Sequence, residues 1–181
     1  APNFASGAMG ASASLFLRGA NSNQTLFLVD GIRINDPNTD YNAWLGGSFV
    51  SASDSLEVSR GPQSTLYGGE AMGGVIALAA QPGSGDPSGR VFVEAGSFGT
   101  VQGSVDLQGE RGETTYVFSL TGGHSDNDRP HNGFDSANLV ARVDHTLASG
   151  TLIGATLRGF MAEYESPGDR FTNDPDNIEE E

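Results

Sequence analysis

The sequence predicts a chain in two parts, an irregular α+β segment over residues 1–82 and an antiparallel β meander over residues 83–181. Three observations carry this. Glycine makes up 26 of 181 residues, about double its usual ~7% share, a density that disfavours a helical bundle and favours turns and close backbone contacts. Residues 81–89, Gln-Pro-Gly-Ser-Gly-Asp-Pro-Ser-Gly, are a run of breakers that neither helix nor strand tolerates. Beyond that run, apolar and polar residues alternate with a period of two, which places them on opposite faces of strands.

Taken in chain order, Ser14–Arg18 reads as a short strand closed by Gly19. Thr25–Val29 is a nearly continuous apolar strand, hence one covered on both faces. Asp30–Gly31 turns the chain tightly into Ile32–Arg33–Ile34, a hairpin signal. Asn35–Asn42 is a polar loop with almost no capacity for burial, and Ala43–Val50 has the composition of a short helix. Ser55–Ser59 alternates as a strand until Gly61–Pro62 breaks it, and Gly73–Leu78 is another apolar strand.

In the second part, Arg90–Ser97 is followed by four stretches of clean alternation. Val101, Gly103, Val105 and Leu107 alternate with Gln102, Ser104, Asp106 and Gln108; Tyr116, Phe118 and Leu120 with Val117, Ser119 and Thr121. Leu139–Leu147 and Ile153–Met161 continue the pattern. The connections are short at Glu110–Gly112 and Ser149–Gly150, and long and polar from Gly122 to Ser136 and after Ser166. Gly96–Thr100 is short where a long one is expected. Such strands, with short turns at one end and long loops at the other, suit an outer-membrane barrel, but a soluble β-sandwich also alternates.

Composition narrows the chemistry. The formal net charge is −14, all nine basic residues are Arg, and Cys is absent. Without Lys there is no Schiff base and no Walker-A loop. Without Cys there is no disulfide, thiolate nucleophile or Cys-ligated zinc. An acidic chain with no basic stripe does not suit nucleic acid. Neither a run of about 18 apolar residues nor a signal peptide is visible, though spanning strands leave no hydropathy peak. No Gly-x-Ser-x-Gly elbow or His-Glu-x-x-His is present, and none of the three His sits in an acid–base frame, so the chain is not expected to be an enzyme.

Arg18–Asn35, reading RGANSNQTLFLVDGIRIN, resembles the plug domain of TonB-dependent outer-membrane receptors. Leu56–Gly68, reading LEVSRGPQSTLYG, looks like that family's second plug signature, and Ala71–Ile76 like its continuation, in the expected order. The third signature departs from the family at Ala77–Ala80, and the approach to Leu56 is more polar than usual. The resemblance implies an α+β plug (residues 1–82, its C-terminal part) followed by antiparallel transmembrane β-barrel strands forming a partial barrel (residues 83–181). Both ends read as cuts through a longer chain. Five strands cannot close a barrel without leaving backbone groups unpaired in lipid, so this piece is not expected to transport anything alone.

The resemblance also implies a function and its residues. The expected role is energy-coupled uptake of a scarce nutrient such as a ferric siderophore or cobalamin. The compact Asn21–Thr25 stretch leans towards cobalamin. The implied partners are TonB, with ExbB and ExbD of the inner membrane, through an N-terminal box not in this chain, and outer-membrane lipid. The alternative is a non-transporting β-rich surface adhesin or structural protein. Ligand contacts fall to the loop residues Asn35, Asp36, Asn38, Asp40, Tyr41 and Asn42, which supply an aromatic face, donors and acceptors. Arg18 and Arg60 would lock the plug to barrel carboxylates, since a buried guanidinium needs a partner. Glu57 could pair with Arg60, although a solvated carboxylate is the simpler reading, and Gly68, Gly73 and Gly74 would let the backbone approach a barrel wall. No resident cofactor is expected. The acidic loops holding His124, Asp126, Asp128, His131 and Asp135, and then Asp169, Asp174 and Asp176, are an option for Ca²⁺, but without an EF-hand pattern. Barrel and sandwich differ in one respect. The barrel turns Val101, Val105, Leu107, Tyr116, Phe118 and Leu120 to lipid and Gln102, Asp106 and Arg142 inward, whereas a sandwich buries the apolar set between sheets.

Overall fold

The structure is a computed structural model that describes residues 3–4, 13–14, 17–35, 50–51, 53–128, 131–166 and 179–180. The chain divides into two compact units, one centred on Ala11–Gly46 with Asp54–Gln81 and the other on Pro82–Glu181.

In the first unit, β1 (Asn3–Phe4) pairs with β2 (Ala13–Ser14). The main sheet contains β3 (Thr25–Val29), β4 (Ile32–Arg33), β5 (Asp54–Arg60) and β6 (Gly74–Ala80) in the order β4-β3-β6-β5. Central β3 runs parallel to β6, which explains why its sequence is a continuous apolar run: both faces are covered. Leu26 and Leu78 are fully buried, and Leu26 packs with Ala71, Val75 and the partly buried Leu28. Burying a side chain of this size contributes about 1.5–3 kcal/mol. The β3–β4 turn has positive φ at both Asp30 (47°) and Gly31 (81°), the geometry that Asp-Gly favours between closely paired strands. Asp30 also fastens this turn to the end of β6, its Oδ1 accepting the Ala80 N–H at 2.8 Å.

Local backbone conformation corrects one sequence expectation here. The strand expected over Ser14–Arg18 is confined to Ala13–Ser14 among the described residues, and Leu17–Gly19 forms a turn. Arg18 and Gly19 both adopt positive φ (53° and 79°), which is incompatible with an extended strand. A one-turn helix, α1 (Ser64–Tyr67), follows β5 where no helix was expected. The helix expected over Ala43–Val50 lies outside the described residues except for Val50, which is exposed and irregular.

The second unit is a meander of β7 (Ser88–Ala95), β8 (Val101–Arg111), β9 (Thr114–Ser125), β10 (Phe134–Thr146) and β11 (Leu152–Ser166), each antiparallel to the next, with a two-residue β12 (Glu179–Glu180) against β11. The sheet stays open, with β7 at its edge, so the barrel is partial. The five strands predicted from alternation are present; four are longer than predicted, while β7 is shifted two residues towards the N-terminus, so that Ser88 and Gly89 of the run of breakers pair with Gln108 and Leu107. The loop expected from Gly122 to Ser136 shrinks to the residues between Ser125 and Phe134, because Gly122 and Gly123 pair with Ala137 and Ser136 through backbone groups that a side-chain pattern does not register.

Candidate functional site

In the first unit, Asn35 is the one member of the expected ligand loop among the described residues; Asp36, Asn38, Asp40, Tyr41 and Asn42 lie outside them. Its amide is occupied in both directions: Oδ1 accepts the Phe27 N–H at 2.7 Å and Nδ2 donates to the Thr25 carbonyl at 2.9 Å. The side chain thus stands in for a strand residue along β3 and anchors the base of the loop.

Arg18 and Arg60 are both exposed, and among the described residues neither forms an ion pair. Arg18 reaches across Gly61, where its Nη1 lies 3.6 Å from the position a Cβ would occupy. Glu57 is exposed and forms no ion pair with Arg60. Three positions apart on β5, the two point to opposite faces. Gly73 and Gly74 do permit close approach, but to the first unit's own chain: a Cβ on Gly73 would lie 2.7 Å from Ala20 Cβ, and one on Gly74 would collide with Ser59 O.

Sequence reasoning missed Arg33. It donates from Nη2 to the Tyr67 carbonyl at 2.8 Å, satisfying an orphan carbonyl of α1, and its Nη1 lies 3.3 Å from Glu70 Oε2 as a charge contact. The only sequence signal was its alternation with Ile32 and Ile34, and nothing local points to a partner 34 positions away.

The sheet of the second unit has two unlike faces. One carries Val101, Val105, Leu107, Phe118 and Leu120, all exposed, and the half-buried Tyr116. Cross-strand register aligns Val91, Val105, Leu120 and Leu139 in one row, and Gly89, Leu107, Phe118 and Ala141 in the next. Where Gly103 pairs with Gly122, an open apolar groove of about 320 Å³ runs between Val93, Val105, Leu120 and Ala137. No second sheet covers this face among the described residues, so the sandwich arrangement does not apply.

The opposite face is polar, and its buried carboxylates are hydrogen-bonded, whereas the buried Thr115 Oγ1 has no partner among the described residues. Buried Asp106 accepts from Ser119 Oγ at 2.6 Å, Ser104 Oγ at 3.0 Å and Arg90 Nη2 at 3.4 Å. Arg142 Nε donates to Asp144 Oδ2 at 2.6 Å. Gln102 and Arg142 are half-buried on this face, as the barrel arrangement requires.

The apolar face ends in a charged rim. Thr114 and His124 are ten positions apart on β9. At ~3.4 Å per residue and a ~40° tilt this spans about 26 Å, close to the ~25 Å apolar band of an outer-membrane barrel, so His124 stands at its outer margin. His124 Nδ1 lies 2.9 Å from Asp135 Oδ1, and Nε2 lies 3.3 Å from Asp126 Oδ1. The hydrogen bond and charge of Asp135, helped by Asp126, raise the imidazole pKa above its ordinary 6.5. Among the described residues no group of three or more His, Asp or Glu side chains is placed to hold a metal ion; Asp169, Asp174 and Asp176 lie outside them.

Comparison with known proteins adds an independent line. The TonB-dependent Receptor Plug Domain matches residues 2–75. The chain is 33% identical over 188 aligned residues to the Vitamin B12 transporter BtuB of Vibrio vulnificus (strain CMCP6), covering 92% of this chain and 29% of that protein. The siderophore receptor PirA from Acinetobacter baumannii superposes with a TM-score of 0.68 at 19% identity, covering 88% of this chain and 26% of that one. The pyoverdine outer membrane receptor FpvA from Pseudomonas aeruginosa PAO1, bound to pyoverdine, gives 0.63 at 16% identity over 85% of this chain and 22% of that one. The chain spans less than a third of the length of each of these proteins, and the two structural likenesses bear on the fold alone.

Proposed function

We propose that this chain is the plug and the opening strands of a partial barrel of a TonB-dependent outer-membrane receptor of Gram-negative bacteria, and that the full-length protein takes up a scarce nutrient, cobalamin or a ferric siderophore, at the expense of force delivered by TonB. The observation that carries the reading is the sidedness of the sheet: an exposed apolar face opposite a polar face whose carboxylates are held by Ser119, Ser104, Arg90 and Arg142. A wall of that kind suits lipid on one side and an aqueous, plugged lumen on the other. Of the two cargoes, cobalamin is favoured by the 33% identity to a protein named for vitamin B12 transport.

In this reading the ligand docks on the loop holding Asp36, Asn38, Asp40, Tyr41 and Asn42, with Asn35 fixing its base. Arg18 and Arg60, exposed on the first unit, lock the plug by pairing with carboxylates of the barrel wall. TonB, energised by ExbB and ExbD, pulls on a segment N-terminal to this chain. The test is uptake of labelled cyanocobalamin, and separately of a ferric siderophore, by cells whose only receptor is the full-length protein, with and without functional TonB. Accumulation that disappears without TonB is expected. Absence of TonB-dependent accumulation of either cargo overturns the proposal.

A further inference from the structure

The apolar face of the sheet ends in two rims of unlike charge. Strand register sets Val101, His124, Asp135 and Glu163 side by side along one rim. Along the other it sets Arg111, Thr114, His145 and Ile153. The first rim carries two carboxylates beside an imidazole; the second carries a guanidinium, a hydroxyl and an imidazole. The turn joining Arg111 to Thr114 is short and the connection from Ser125 to Phe134 is longer. Outer-membrane barrels keep their short turns on the periplasmic side, so the Arg111 rim faces the periplasmic leaflet.

Three observations equip that rim for a negatively charged headgroup. Arg111 is exposed, and among the described residues it forms no ion pair. Glu110 points to the opposite face of β8, and Glu113 lies in the turn. Thr114 Oγ1 and His145 Nδ1 share a hydrogen bond of 2.8 Å, which fixes the exposed imidazole and leaves Nε2 for another partner. One row further in, Tyr116 lies across Gly109, its hydroxyl 2.8 Å from the position a Cβ there would occupy. Amphipathic rings of this kind settle where hydrocarbon gives way to headgroups.

Closing the barrel leaves this arrangement intact. Arg111, Thr114 and His145 stand on β8, β9 and β10, each already paired with a strand on both sides. Further strands of the wall therefore enter nowhere between them.

We propose that Arg111 and His145, the latter held by Thr114, form a headgroup site for an anionic phospholipid of the periplasmic leaflet. The guanidinium fork meets two phosphate oxygens at once, and His145 Nε2 approaches the headgroup from two strands away. The acyl chains run inward over Tyr116, Val143 and Phe118 on the apolar face. The site rests on the barrel reading of the sheet, and not on the cargo or on TonB.

The experiment is native mass spectrometry of the full-length receptor in a non-ionic detergent, titrated with phosphatidylglycerol or with phosphatidylcholine of the same acyl chains. Wild type is compared with Arg111→Gln, Thr114→Val and His145→Gln, and folding is verified by migration in unheated SDS gels. Wild type should bind its first phosphatidylglycerol at least about fivefold more tightly than phosphatidylcholine, the gain expected of one basic residue near an anionic lipid surface. Arg111→Gln should abolish that preference. Thr114→Val, which frees the imidazole, and His145→Gln, which replaces it, should reduce it, and they test the site even if Arg111→Gln does not fold. A wild-type chain that never migrates as a folded barrel refutes the barrel reading. A folded wild type that binds the two lipids equally, or folded variants that all keep the full preference, overturn the headgroup site alone.

Discussion

Replacing Leu120 with Arg tests the assignment of the two sheet faces at one position. Leu120 lies between Val105 and Leu139 in the cross-strand register, on the exposed apolar face. It is six positions along β9 from Thr114. With the same rise and tilt that is about 16 Å, inside the middle third of a ~25 Å apolar band. An Arg near the midplane of the lipid face of a barrel costs about 2–4 kcal/mol, against roughly 0–1 kcal/mol near either margin. At 1.4 kcal/mol per tenfold, the Leu120→Arg receptor should have its unfolded fraction raised about 30-fold to several hundredfold. The control is Thr121→Arg, one residue along on the polar face and half-buried. Both should be measured by urea unfolding of the full-length receptor in phospholipid vesicles, following tryptophan fluorescence. Leu120→Arg should be the more damaging by at least about 1 kcal/mol. Equal losses, or the reverse order, would refute the sidedness and the barrel with it.

Three further outcomes are expected. Asn35→Ala leaves the Phe27 N–H and Thr25 carbonyl without their side-chain partner, at a cost of about 1–3 kcal/mol, so the Phe27 amide should exchange about five- to a hundredfold faster in the full-length receptor; unchanged exchange would refute the anchor. Gly74→Ala should lower plug stability more than Gly31→Ala: both have positive φ, but only at Gly74 would the new Cβ strike a backbone oxygen, and equal shifts in thermal unfolding would refute this. For His124, the folded-state pKa lies above the ordinary 6.5 chiefly through Asp135, so its contribution to the rim is complete below the ordinary value and is lost as pH rises through the elevated one. Asp135→Asn should bring the imidazole midpoint down when titrated by NMR, and an unmoved midpoint would refute the pairing.

The parts of this molecule legible in its residue order are those governed by local periodicity. Alternation of Val101–Gln108 and Tyr116–Thr121 announces two faces, because successive side chains on a strand must point opposite ways. The apolar run Thr25–Val29 announces a covered central strand, and Asp30–Gly31 the turn after it. Strand ends were less legible, since Gly122 and Gly123 extend the ladder through backbone hydrogen bonds with no side chain to mark them.

Residue order by itself determined that the chain has two parts, which strand positions are apolar and where the chain can turn, because each follows from neighbours within a few residues. Tertiary structure alone decided which partner each polar group found. Arg33 caps α1 across 34 positions, Asn35 spends its amide on β3, and Gly83 lies against Gly109 and Tyr116. Those pairings depend on which segments the sheets bring side by side, and many partners could satisfy the same hydrogen-bonding group until the fold leaves one within reach.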